Sequence, residues 1–186
     1  MFIQSEETPN PNTLKFIPDG LVVLENGTAE FKNKNQASKS ILAEELFKIE
    51  GVSGVFFGHD FITITKLKTT DWKEIKTEIL AAIMDFFLSG QKILNEQKKK
   101  EVDLDQEDSQ IVQQIKELIE IKVRPAVAMD GGDIIYRDFV DGIVYLELKG
   151  SCSGCPSSTI TLKNGIENML KHYIPEVISV EQIFDD

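Results

Sequence analysis

Asp133-Ile134-Ile135-Tyr136-Arg137-Asp138-Phe139-Val140-Asp141-Gly142-Ile143-Val144-Tyr145-Leu146-Glu147-Leu148-Lys149 runs directly into Gly150-Ser151-Cys152-Ser153-Gly154-Cys155-Pro156. Two apolar, β-branched runs flank Asp141-Gly142, and Asp-Gly between two such runs is a strong hairpin signal. Pro156 suits the first position of a helix, where a backbone N–H has no intrahelical partner. The stretch therefore reads as strand, tight turn, strand, a small-residue loop holding both cysteines of the chain, then a helix.

Working outward, Ile111, Ile115, Leu118, Ile119 and Ile121 recur at helical spacing before the hairpin. Pro125 must kink or interrupt that helix, since it lacks a donor, and Gly131-Gly132 ends it. After the loop, Ile160, Leu162, Ile166, Met169, Leu170 and Tyr173 mark the apolar face of a second helix, with Met169 and Tyr173 expected in the core. Val177 to Phe184 reads as a closing strand. The order α-β-β-α-β predicts an α+β domain over residues 109–186.

The first ninety residues predict a second small α+β domain. Phe2 to Glu6 and Thr13 to Ile17 read as strands around Thr8-Pro9-Asn10-Pro11-Asn12. Ala37, Ile41, Leu42, Leu46 and Phe47 share one helical face, ended by Gly51. Short strands at 54–57 and 61–65 follow. Asp71 with Glu74 three residues later forms a capping-box signature. Trp72, Ile75, Ile79, Ile83 and Phe86 then make a buried stripe that Gly90 stops. Phe56, Phe57 and Phe87 are read as core as well.

Between the two, residues 91–108 hold four basic and six acidic groups in eighteen positions. Such a stretch buries too little to order itself, so it reads as a flexible linker with a reach on the order of 23 Å. Residues 1–90 and 109–186 carry net charges of −4 and −5.

The whole 186-residue chain carries −11. That charge repels phosphate backbones and anionic lipid, so no nucleic acid or membrane partner is expected. The longest apolar run, Ile79 to Met84, is far short of the roughly twenty residues that span a bilayer. Met1 to Glu7 shows neither a secretory signal nor an Arg-rich transit sequence.

Cys152 and Cys155 are the chemical focus. Cys155 falls at a helix N-terminus, where orphan amides and the macrodipole favour a thiolate. Three readings fit. A dithiol–disulfide oxidoreductase would use the pair directly, but that fold needs a βαβ unit feeding the motif. A zinc site needs four ligands. His59 lies in the other domain, and His172 lies about 25 Å along the helix, so zinc would have to bridge two chains. An iron–sulfur cluster shared between chains would take two thiolates from each.

The chain resembles the Nfu-type iron–sulfur cluster carriers over essentially its whole length. Arg124-Pro125, Asp130-Gly131-Gly132-Asp133, the stretch from Gly150 to Ser158 and Thr161 to Glu167 look like the NifU-like C-terminal domain. Thr8 to Phe16, Gly51-Val52 and Phe61-Ile62-Thr63 look like the Nfu N-terminal domain. The resemblance implies a non-enzymatic carrier whose Cys152 and Cys155 hold a [4Fe–4S] cluster across a homodimer. It further implies an upstream cluster donor and apo iron–sulfur client proteins; the N-terminal domain is expected to contact partners. The compartment expected from the start of the chain is a bacterial cytoplasm, the alternative being a mitochondrial matrix protein without its presequence.

Asp130 and Asp133 are read as turn chemistry around Gly131-Gly132 rather than as a metal or acid–base pair. His59 is expected in a solvated turn and His172 exposed near a helix end. Lys98-Lys99-Lys100 is expected to solvate the linker.

Overall fold

The computed structural model describes residues 2–94, 109–153 and 156–184, and only the backbone of residues 156–159. The described residues form two compact units, one on each side of the stretch 95–108. The charged linker therefore lies largely outside the described residues, as do Lys98-Lys99-Lys100, Gly154 and Cys155.

In the first unit, β1 (Ile3–Glu7), β2 (Thr13–Pro18), β3 (Ala29–Phe31), β4 (Val52–Phe57) and β5 (Ile62–Lys66) form one antiparallel sheet, ordered β1-β2-β5-β4-β3. Helices α1 (Lys34–Ala37), α2 (Ile41–Lys48) and α3 (Trp72–Ser89) complete it. Leu14, Phe16, Val55, Phe57, Ile62 and Ile64 of the strands pack with Leu42, Leu46, Ile75, Ile79, Ile83 and Phe86 of the helices. Each such buried side chain contributes about 1.5–3 kcal/mol of transfer free energy. On the opposite face Phe56 and Phe61 pair at 5.9 Å, beneath the Lys15 ammonium.

The capping box at Asp71 forms as expected: its side chain accepts from Lys73 N at 2.9 Å, while Glu74 accepts from Asp71 N. Gly90, at φ 68°, closes α3 in the left-handed region. Three features differ from the sequence reading. The stripe from Ala37 to Phe47 is two helices, because the Ser40 hydroxyl accepts from Ala43 N and starts a new one. Strand β3 is unforeseen, being three residues long and held by pairing to β4. Ile93, counted with the linker, is buried in the first core.

The second unit opens with α4 (Gln110–Leu118), a π-helical turn (Ile119–Val123) and α5 (Arg124–Met129). Pro125 thus interrupts the helix through the π turn, which shifts the hydrogen-bond register before a residue that cannot donate. Strands β6 (Gly132–Val140) and β7 (Ile143–Gly150) form the expected hairpin, with Asp141 at φ 51° and Gly142 at φ 81°. Both positive angles match the turn type that follows strand twist. Helix α6 (Pro156–Tyr173) and strand β8 (Ser179–Gln182) follow, and β8 joins β7 in parallel to give the order β6-β7-β8.

The core gathers Ile115, Ile119, Val123 and Val127 with Ile134, Val144, Leu146 and Leu148, and with Ile166, Leu170 and Ile174. Met169 packs against it, as expected. Tyr173, Ile160 and Ile121 do not: all three are more than half exposed. Three strands are too narrow to cover the whole apolar stripe of either helix. A bulge between Tyr136 and Asp138 places Arg137 over Glu147, which is almost fully buried and also lies 3.5 Å from Lys149 Nζ.

Candidate functional site

Strand β7 ends at Gly150, and its left-handed φ of 65° turns the chain sharply. The Gly150 carbonyl then accepts from Ser153 N at 3.1 Å and from the Ser153 hydroxyl at 2.9 Å. This closes a β-turn with Ser151 and Cys152 at its centre.

The turn is fastened to the segment between α5 and β6. Ser151 N donates to the Gly131 carbonyl at 3.2 Å, and the Ser151 hydroxyl donates to the Asp130 carbonyl at 2.6 Å. Ser151 is buried, so these bonds form away from competing water. Cys152 is only 6% exposed and joins the core of the unit, its sulfur lying over Gly132. The first cysteine is thus anchored rather than displayed on a loose loop. The second, Cys155, lies outside the described residues.

Arg124 ties the helix before the Gly131-Gly132 turn to the strand after it. Its Nη2 donates to the Ile134 carbonyl at 3.0 Å, its Nε lies 3.1 Å from Asp133 Oδ1, and its Nη1 lies 2.5 Å from Glu120 Oε2. Asp133 Oδ1 also accepts from Ile134 N at 2.7 Å. Asp130 acts through its backbone, as turn chemistry demands. Asp133, almost fully buried, is in addition the carboxylate partner of Arg124. Sequence reasoning had Arg124 only as part of a matched stretch; an arginine nine positions before an aspartate leaving a Gly-Gly turn is the signal that could have paired them.

Glu167 ties α6 to β8. It accepts from Lys171 Nζ at 2.6 Å and from the β8 amide Val180 N at 3.0 Å. These hydrogen bonds, the lysine's first, hold its carboxyl below the usual range.

The other sequence candidates lie elsewhere. His59 sits in the first unit, where its Nδ1 is 2.8 Å from the Leu24 carbonyl and its own carbonyl accepts from Val23 N and Leu24 N. His172 lies exposed near the end of α6, its ring edge-on to Tyr173. Among the described residues, no three His, Cys, Asp or Glu side chains converge as a metal site, and no helix is long and apolar enough to cross a membrane.

Comparison with known proteins matches both units. Residues 3–90 match the family described as scaffold protein Nfu/NifU N terminal, and residues 115–181 match the NifU-like domain. Over its full length the chain is 55% identical to a human protein named NFU1 iron-sulfur cluster scaffold homolog, mitochondrial, and covers 73% of it. The chain belongs to the Nfu family. A Drosophila sechellia protein of the same name is 51% identical to this Nfu chain, which spans 66% of that relative's length. A solution structure of a NifU-like protein from Saccharomyces cerevisiae shares 29% identity, aligning 52% of the Nfu chain with 87% of its own at a TM-score of 0.48. The relatives also correct one expectation. The human and Drosophila proteins are named as mitochondrial, which overturns the bacterial cytoplasm read from the first residues. Charge and hydropathy of a folded domain carry no address; leaders do.

Proposed function

We propose that this Nfu chain is an iron–sulfur cluster scaffold that holds a [4Fe–4S] cluster between two protomers and passes it to apo-proteins. Cys152 and Cys155 of each chain supply the thiolates. Two per chain are half of what a cubane requires, so the cluster sits at a two-fold boundary where an incoming thiolate can displace a leaving one. The protein acts as carrier, not as catalyst, and its first unit contacts partners. The relatives' names support the mitochondrion as the compartment.

The observation that carries the reading is the Cys152 turn, clamped by Ser151 to Asp130 and Gly131. A ligand held by its own backbone keeps its position while the cluster is absent, which suits a site that loads and empties. The test is transfer. Anaerobically reconstituted protein should activate an apo [4Fe–4S] enzyme faster than free iron and sulfide, with a chelator present. If the protein keeps its colour and the client stays inactive over hours, the cluster is fixed and the carrier reading fails.

A further inference from the structure

Strand β1 is an open edge of the five-stranded sheet, terminal in the order β1-β2-β5-β4-β3. The register shows which of its backbone groups point outward. The Phe2 carbonyl accepts from Asp19 N, and Ile3 stands opposite Pro18, which has no N–H to give. Bonded and non-bonded pairs alternate along an antiparallel ladder. Gln4 and Glu6 therefore bond to β2, and Ile3, Ser5 and Glu7 direct their N–H and C=O groups away from it.

The side chains of Ile3, Ser5 and Glu7 stand opposite Pro18, Phe16 and Leu14, on the face that the helices cover. Between this edge and the start of α3 lies a groove of about 560 Å³, lined among others by Ser5, Glu7, Leu14, Trp72, Lys73 and Lys76. The Trp72 indole is fixed there by donating to the Pro11 carbonyl at 3.2 Å. Lys73 and Lys76, three positions apart, share one helix face. Neither ammonium is held in an ion pair among the described residues. In a chain of net charge −11, the groove sets two lysines against the single carboxylate of Glu7.

We infer that the groove between β1 and α3 receives an extended, acidic segment of a partner protein, added to β1 as a sixth strand. Main-chain bonds to Ser5 and Glu7 supply general affinity, and alternate carboxylates of the segment meet Lys73 and Lys76. This inference rests on the reading of the first unit as the partner-contacting one and is independent of the cluster chemistry.

The test uses the full ¹⁵N-labelled chain with a blocked peptide of alternating Glu and Val, and the same peptide with Lys in place of Glu. The acidic peptide should shift the amides of Ile3–Glu7 and Trp72–Lys76 and slow exchange at Ser5 and Glu7. Lys73→Glu with Lys76→Glu should weaken it about tenfold or more, the effect of reversing two half-exposed charges. Ser5→Pro removes one outward N–H, a change edge strands tolerate, and should weaken it with the circular dichroism spectrum unchanged. If Ser5→Pro unfolds the sheet, the charge reversal and the shift map decide. Absence of shifts at millimolar peptide, or equal binding of the Lys peptide, overturns the inference. Shifts confined instead to Glu45 and Lys48 of α2 and Glu78 and Asp85 of α3, which line a separate groove, overturn the edge assignment and leave the partner-contact reading standing. Dimerisation of cluster-free chain through β1, lost in Ser5→Pro, makes the occupant a second copy and overturns the acidic partner.

Discussion

Cys152 lies against Gly132, and any side chain at position 132 would force its neighbours to move. A Cβ there would stand 2.8 Å from Cys152 Sγ and 2.6 Å from the Lys149 carbonyl oxygen. The carbonyl belongs to the neighbouring strand and cannot swing aside. Gly132 has no left-handed backbone angle, so the demand is for space rather than torsional freedom.

Gly132→Ala should therefore disturb the cysteine turn directly. The expected cost to the second unit is about 1–3 kcal/mol, the usual range for overpacking, with a several-fold loss of bound iron after reconstitution. Gly165→Ala is the control. Gly165 is exposed on the outer face of α6 with nothing within 4 Å of an added Cβ, so alanine should stabilise by about 0.5–1 kcal/mol. Urea midpoints and iron content of the two variants check both signs.

Arg124→Met should leave the buried Asp133 carboxylate without its cation. Because Asp133 keeps the Ile134 amide and the Arg124 side chain is itself partly exposed, the expected cost is about 1–3 kcal/mol. Arg124→Lys should recover only part of this, because an ammonium cannot bridge the Ile134 carbonyl, Asp133 and Glu120 together. Adding Asp133→Asn to Arg124→Met should restore stability, and a double-mutant cycle on urea midpoints measures the coupling.

Glu167 makes the stability of the second unit acid-sensitive. Its carboxyl is held low by Lys171 and by Val180 N. A folded-state value below the unfolded one gives stability that is fully present above the ordinary carboxylate range and is lost as pH falls through the lowered value. The urea midpoint of the wild type should exceed that of Glu167→Gln at neutral pH, and the two should converge on acidification below that range. A constant gap down to strongly acidic pH would remove Glu167 as the cause.

Where local chemistry decides, the sequence was readable. Asp141-Gly142 needs two positive φ angles and has them; Asp71 and Glu74 cap α3 reciprocally. Features set by distant partners were not. Strand β3 exists through β4, and the exposure of Tyr173 and Ile160 follows from the narrowness of a three-stranded sheet. At the site, the C-x-x-C motif was plain. Its clamp was not, because Ser151 reaches Asp130 across twenty-one positions, and helical or strand periodicity does not register a contact of that span.

The central claim is one cluster for two chains. Anaerobic reconstitution followed by mass determination and iron and sulfide analysis tests it most directly. The account predicts a dimer with about four iron and four sulfide per two chains, a monomer without cluster, and loss of both dimer and colour in Cys152→Ser and in Cys155→Ser. A monomer carrying a complete cluster, zinc in place of iron, or a full cluster retained by either serine variant would contradict it.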